Sequence, residues 1–235
     1  MRSPFFFSPF LILIFGILFA AVIFLFALVQ VGALTVAFTK LGLTTNQVFL
    51  VLFGTLFGSM INLPVYSRPL EPGLSDIQSP LKGLWRHYQH DRYQRIARFT
   101  RQTVAVNIGG CLIPCLLSIY FIARIGLSPG LILSVVLIAG ATYRLARPVP
   151  GVGIGIPFLI PPLLAVLAAW LLAPQGQTAQ VAYIAGSLGT LVGADVLKLL
   201  DPRTLKDLQA PMLSIGGAGT FDGIFLAGIL AVLLA

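Results

Sequence analysis

Two aspartates sit in otherwise apolar runs near the end of the chain, Asp195 in Leu191-Val-Gly-Ala-Asp-Val-Leu197 and Asp222 in Ile215-Gly-Gly-Ala-Gly-Thr-Phe-Asp-Gly-Ile-Phe225. A charged side chain at mid-bilayer costs about 2.5–3.5 kcal/mol on insertion scales, so the pair is held against roughly 5–7 kcal/mol unless protonated, paired or wetted. Residues kept at that cost are expected to do chemistry. If the carboxyl groups meet, like charge and low dielectric raise one pKa, and two identical residues become an acid and a base able to activate water. If they stand apart, each is suited to loading and releasing a proton. The bland alternative is that each caps a broken helix or bonds a neighbouring hydroxyl such as Ser187, Thr190 or Thr220. Glycines flank both: Gly193 beside Asp195, and Gly216, Gly217, Gly219 and Gly223 around Asp222. Small residues allow close helix packing and leave room for water or substrate, so these glycines, with Pro157, mark a substrate or helix-break region.

The elements that must hold these residues follow from composition. Hydrophobic residues make up 57% of the 235 positions and charged residues 9%. A soluble domain carries about 25% charged residues, so the chain reads as an all-α, polytopic transmembrane helix bundle and a single integral membrane domain over 1–235. At about 20 residues per span, the apolar runs give about seven spans, near 8–37, 45–64, 103–123, 130–146, 155–173, 180–199 and 211–234. The first is too long for a signal-peptide core, which runs about 7–15 residues, and reads as a retained helix.

Lys and Arg set the orientation. With the N-terminus in the cytoplasm, 13 of the 15 basic residues fall inside, and only Lys40 and Arg124 fall outside. This asymmetry accounts for the net charge of +8 without nucleic acid. The expected location is the inner, cytoplasmic membrane. On this topology Asp195 lies six residues before Asp201, about 9 Å from the inner end of its helix. Asp222 lies about eleven residues into the next helix, roughly 16 Å deep. Consecutive antiparallel helices are natural neighbours, so both carboxylates can reach one cavity on the inner half of the membrane.

The sizeable polar segment, 65–102, forms a basic cytoplasmic loop. Leu81, Leu84, Trp85 and Tyr88 fall at helical spacing among Lys82, Arg86, Arg92 and Arg95. This is the pattern of an interfacial amphipathic helix lying on anionic lipid; a solvated helix with its apolar face against the bundle fits equally. His87, His90 and Asp91 have metal-like spacing, but the surrounding arginines would repel a cation. No metal site or cofactor is expected. Cys111 and Cys115, four apart in one apolar run, read as packing residues. The run from Pro148 to Pro157 holds three prolines and three glycines and cannot form a regular helix. Its Gly151, Gly153 and Gly155 lack the strand, helix and acidic partner of a nucleotide loop. It reads as a cytoplasmic-side loop or a re-entrant stretch.

The ending Ser214-Ile-Gly-Gly-Ala-Gly-Thr-Phe-Asp-Gly-Ile-Phe-Leu-Ala-Gly-Ile-Leu-Ala-Val-Leu-Leu-Ala235, together with Gly193-Ala-Asp195, Asn107-Ile-Gly-Gly110 with Pro114, and Arg147-Pro-Val-Pro-Gly-Val-Gly-Ile-Gly-Ile-Pro157, resembles the uncharacterised prokaryotic membrane family named domain of unknown function 1614. That resemblance implies a membrane protein and no particular activity. The aspartates also look like those of intramembrane aspartyl proteases of the presenilin and prepilin-peptidase type, which carry one Asp on each of two consecutive helices. Here neither Asp directly follows the second glycine, and Pro161-Pro-Leu163 precedes the aspartates rather than following them. Whether the protein is an enzyme is therefore open. Three functions stand: an aspartyl hydrolase using Asp195 and Asp222, a proton-coupled small-solute transporter or channel, and a non-catalytic membrane scaffold with a membrane-protein partner. The echo of Asn107-Ile-Gly-Gly in Ser214-Ile-Gly-Gly hints at an internal repeat.

Overall fold

Backbone polar groups in hydrocarbon must pair among themselves, so long apolar runs form helices and any strand there must find a partner. Both outcomes occur. The computed structural model describes residues 9–69, 101–149, 153–201, 204, 208, 212–217 and 223–235. Among them, seven continuous helical stretches fall on the seven apolar runs. They are α1 (Pro9–Lys40), α2 (Thr45–Gly58), α3 (Ile108–Ile125), α4 (Pro129–Leu145), α5 (Ile160–Leu172), α6 (Thr178–Leu200) and α7 (Gly223–Leu234). Two of these, α3 and α6, are long and apolar enough to cross a membrane. Helix starts carry the expected signals: Thr44 and Gln47 form a reciprocal capping box on α2, Ser128 caps α4, and prolines occupy the first turns of α4 and α5.

The expectation of an all-α chain is corrected by strands. β1 (Asn62–Pro69), β2 (Arg101–Asn107) and β5 (Met212–Ile215) form one sheet, with β1 antiparallel and β5 parallel to the central β2. β3 (Arg147–Val149) and β4 (Gly153–Gly155) form a short hairpin. The apolar runs at 45–64, 103–123, 155–173 and 211–234 therefore each yield part of one end to extended chain. The reasons are local. Pro64 and Pro69 cannot continue a helix, Thr103-Val-Ala-Val is rich in β-branched residues, and Gly216 and Gly217 adopt positive φ. The hairpin is the form taken by the described parts of 148–157, and Pro157 stands between it and α5.

These strands share one end of the bundle. The three-stranded sheet gathers the end of α2 and the approaches to α3 and α7. Ile154 of the hairpin packs with Leu199 of α6, Leu208 and Leu213 of β5. At the other end, the Lys40 ammonium donates to the carbonyl of Leu233 at 3.2 Å, bringing the ends of α1 and α7 together.

Packing is tight where small residues meet. A Cβ at Gly186 of α6 would sit 3.0 Å from the carbonyl oxygen of Ala227 on α7, and one at Gly193 would collide with Ala139 and Thr142 of α4. The core joins all seven helices through residues such as Phe38, Phe121, Leu131, Tyr183 and Phe225. Outward faces are apolar as well. Phe49, Phe53 and Phe57 of α2 stack in an exposed ladder, and Leu171 of α5 is 82% exposed. Meanwhile Ser118, Ser134, Thr142, Ser187 and Thr190 are buried. Large exposed apolar faces are rare on soluble monomers. Together with α3 and α6, this surface points to a membrane protein.

Candidate functional site

Asp195 lies in the last part of α6, where the helix widens. Two π-helical segments, Ala185–Gly189 and Leu191–Val196, run through its middle. π-turns insert extra backbone and recur at functional sites. The Asp195 carboxylate is half-buried, and its Oδ2 accepts the backbone N–H of Gly216 at 2.7 Å. Gly216 (φ 86°) is the turn that ends β5. A Cβ there would come within 2.7 Å of Cys111 Cβ on α3. Only glycine fits, both by backbone conformation and by space. Asp195 thus ties α6 to the break before α7, at a point pressed against the start of α3.

A polar network surrounds this junction. Asn107, 0% exposed, ends β2 and caps the π-helical first turn of α3. Its Oδ1 accepts from Gly110 N–H at 2.8 Å, and its Nδ2 donates to the Ser59 carbonyl at 2.8 Å and to Asn62 Oδ1 at 3.1 Å. The Ser214 hydroxyl reaches Asn62 Oδ1 at 2.6 Å and the Gly217 carbonyl at 2.8 Å, and its single proton serves one at a time. Strand ends and helix starts from four regions of sequence therefore meet on three side-chain amides and hydroxyls with Asp195 alongside. Gln102, on the same central strand, donates to the Leu208 carbonyl at 2.7 Å.

The other residues singled out by sequence divide clearly. Gly193 is filled by α4 and leaves no room for substrate. Gly217 (φ 70°) completes the turn after Gly216, and Gly223 opens α7 with no atom near its missing Cβ. Asp222, Gly219, Lys82, Trp85, Arg86, His87, His90, Asp91, Arg92 and Arg95 lie outside the described residues. Ser187 and Thr190 do not bond Asp195; their hydroxyls are buried with no hydrogen-bond partner. Cys111 and Cys115 are free thiols packed with Leu191 and Ile224. Sequence reasoning noted Asn107-Ile-Gly-Gly as a motif but missed Asn107, Asn62 and Ser214 as a network. An Asn just before an apolar run with Gly at its third position is an N-cap signal that would have marked the first of them.

Residues 56–234 match the family described as Protein of unknown function (DUF1614). The chain belongs to this family. No curated protein and no solved structure matches it, so the likeness to aspartyl proteases stands on its motif alone. The matched region takes in the sheet, the Asn107 network, Asp195 and the last helix.

Proposed function

We propose that this family member is a multi-pass protein of the inner membrane that couples movement of a small solute to protons, with Asp195 as the proton-binding group. Seven spans with the N-terminus in the cytoplasm fit the basic-residue asymmetry, and the sheet end of the bundle then faces the cytoplasm. The segment 65–102 would rest there on anionic lipid.

The observation that carries this reading is the bond from Gly216 N–H to the Asp195 carboxylate. An ionised acceptor makes a shorter, stronger hydrogen bond than a neutral one. Protonating Asp195 would loosen its hold on the break that leads into α7. The charge state of one carboxyl group would thereby bias the position of a whole helix, which is what coupling requires. Discontinuous elements near a polar site are a recurring feature of secondary transporters.

Purified protein in lipid vesicles with an imposed pH gradient tests it. Wild type is expected to accumulate at least one member of a panel of small solutes, and Asp195→Asn to lose accumulation while keeping its elution profile. An Asp195→Asn protein that accumulates solute as well as wild type would refute the assignment of Asp195. A wild type that moves nothing would refute transport itself.

A further inference from the structure

Polar side chains recur along α6 at Gln177, just before its first residue, then at Gln180, Tyr183, Ser187, Thr190 and Asp195. From Gln177 the steps are three, three, four and three residues, which keeps the first five on one helical face. The last step is five, which in an α-helix would turn Asp195 away. The π-helical stretch Leu191–Val196 covers that step, and its i→i+5 spacing brings Asp195 back toward the same face.

Five of these six carry a buried polar atom with no hydrogen-bond partner: Gln177 Oε1, Gln180 Oε1, the Tyr183 hydroxyl, Ser187 Oγ and Thr190 Oγ1. Ser118 Oγ on α3 is a sixth such atom. It stands one turn from Phe121, whose ring meets the Tyr183 ring edge-on at 5.5 Å, so Ser118 is on the α3 face that packs against α6. Hydroxyls in this protein can satisfy themselves on their own helix. Ser134 donates to Gly130 and Thr142 to Ile138, each at 2.8 Å. The stripe hydroxyls make no such bond to their own backbone, although those of Tyr183 and Ser187 lie beside each other. Buried polar groups are nearly always paired, with protein or with internal water.

We propose that this stripe is a proton path that joins the outer end of α6 to Asp195 through alternating side chains and internal waters. Three or four residues of helix rise span about 4.5–6 Å. That is too far for one hydrogen bond and close to two O···O contacts of about 2.8 Å in series, so one water suits a gap of that size. The five-residue step to Asp195, about 7.5 Å of helix rise, takes a second, and Tyr183 and Ser187 lie close enough to bond directly. A proton entering beside Gln177 and Gln180, whose amides orient water and do not themselves relay, passes along the waters and hydroxyls to Asp195, which releases it at the inner end. Each hydroxyl or water accepts a proton on a lone pair and releases its own to the next, and the number of bonds is unchanged when Asp195 takes the last one. Tyr183, Ser187, Thr190 and Ser118 are at most 1% exposed, so the path has no bore for a solute. Among the described residues, the other titratable groups that face it are Cys111 and Cys115 on α3. Lys198, near the inner end, sits over the Tyr143 ring of α4 at 4.6 Å.

This proposal rests on the transport reading and names the species that crosses. The test is proton flux in vesicles holding a trapped pH dye, driven by a potassium diffusion potential in the presence of the panel solute that wild type accumulates. Wild type should acidify the interior. Thr190→Val and Ser187→Ala should each slow this roughly tenfold, the loss of one relay hydrogen bond, whereas Thr190→Ser should restore it. Ser134→Ala, outside the stripe and bonded to Gly130 of its own helix, should leave it unchanged and controls for folding. Equal flux in wild type and both stripe variants would overturn the path and leave transport standing. No proton flux from a wild type while it accumulates that solute in the same vesicles would overturn the path, and the coupling to protons with it. No movement of either would sink the transport reading, and the path with it.

Discussion

Asn107 makes three of the four hydrogen bonds open to a carboxamide, and its replacement is the sharpest test of the site's architecture. Asn107→Ala leaves Gly110 N–H and the Ser59 carbonyl without this partner and removes one of the two donors to Asn62 Oδ1, Ser214 being the other. A buried group left unsatisfied costs about 1–3 kcal/mol, and the drop should be visible as easier unfolding in detergent titrated with dodecyl sulfate. Asn107→Ser keeps a cap acceptor for Gly110 without placing a second oxygen against the Ser59 carbonyl and should lose less; equal loss in both would mean that the cap contributes nothing. At this scale the sequence was half legible. Asp195 stands out because a carboxylate in an apolar run has no cheap explanation. Asn62 and Ser214 do not, because amides and hydroxyls are ordinary in loops and only their convergence from positions 152 residues apart gives them meaning.

Helix α6 is the element on which the proposals turn, and its fit against α4 depends on Gly193. A side chain there meets Ala139 and Thr142, so Gly193→Leu should cost about 1–3 kcal/mol by overpacking. Gly140, on α4, has open space around its Cβ position. Gly140→Ala should therefore be neutral or raise stability by about 0.5–1 kcal/mol, and thermal unfolding of the two variants in one detergent would separate close packing from a generic dislike of substitution. Helix positions were readable from apolar runs because hydrophobicity alone decides what enters lipid. Helix ends were not. Val104 and Val106 suit a helix in lipid or a strand equally, and the choice fell to a pairing with β1 and β5 that no local window contains. The π-helical widening left no mark in the sequence beyond its glycines.

For the molecule as a whole, alternation of helices predicts which turns face which compartment. In a Cys111→Ala, Cys115→Ala background, cysteines at Leu127 and Gln175 should react with a membrane-impermeant maleimide on intact cells. One at Val149 should react only after the membrane is opened, and labelling of Val149→Cys from outside would reverse the orientation. The sheet has a further consequence, for synthesis. β2 pairs at once with β1, its antiparallel neighbour, but its other edge receives β5, more than 100 residues later. Chains are made from the N-terminus onward and their parts fold as they emerge. Until Met212–Ile215 leaves the ribosome, one side of β2 is an open edge, and the amide that Asp195 binds does not yet exist. A chain stalled or cut before that point would carry six of the helices but an unfinished junction. Its bare strand edge is the kind of surface that quality control and aggregation both find, so completeness of the nascent protein is written into the order of three short strands.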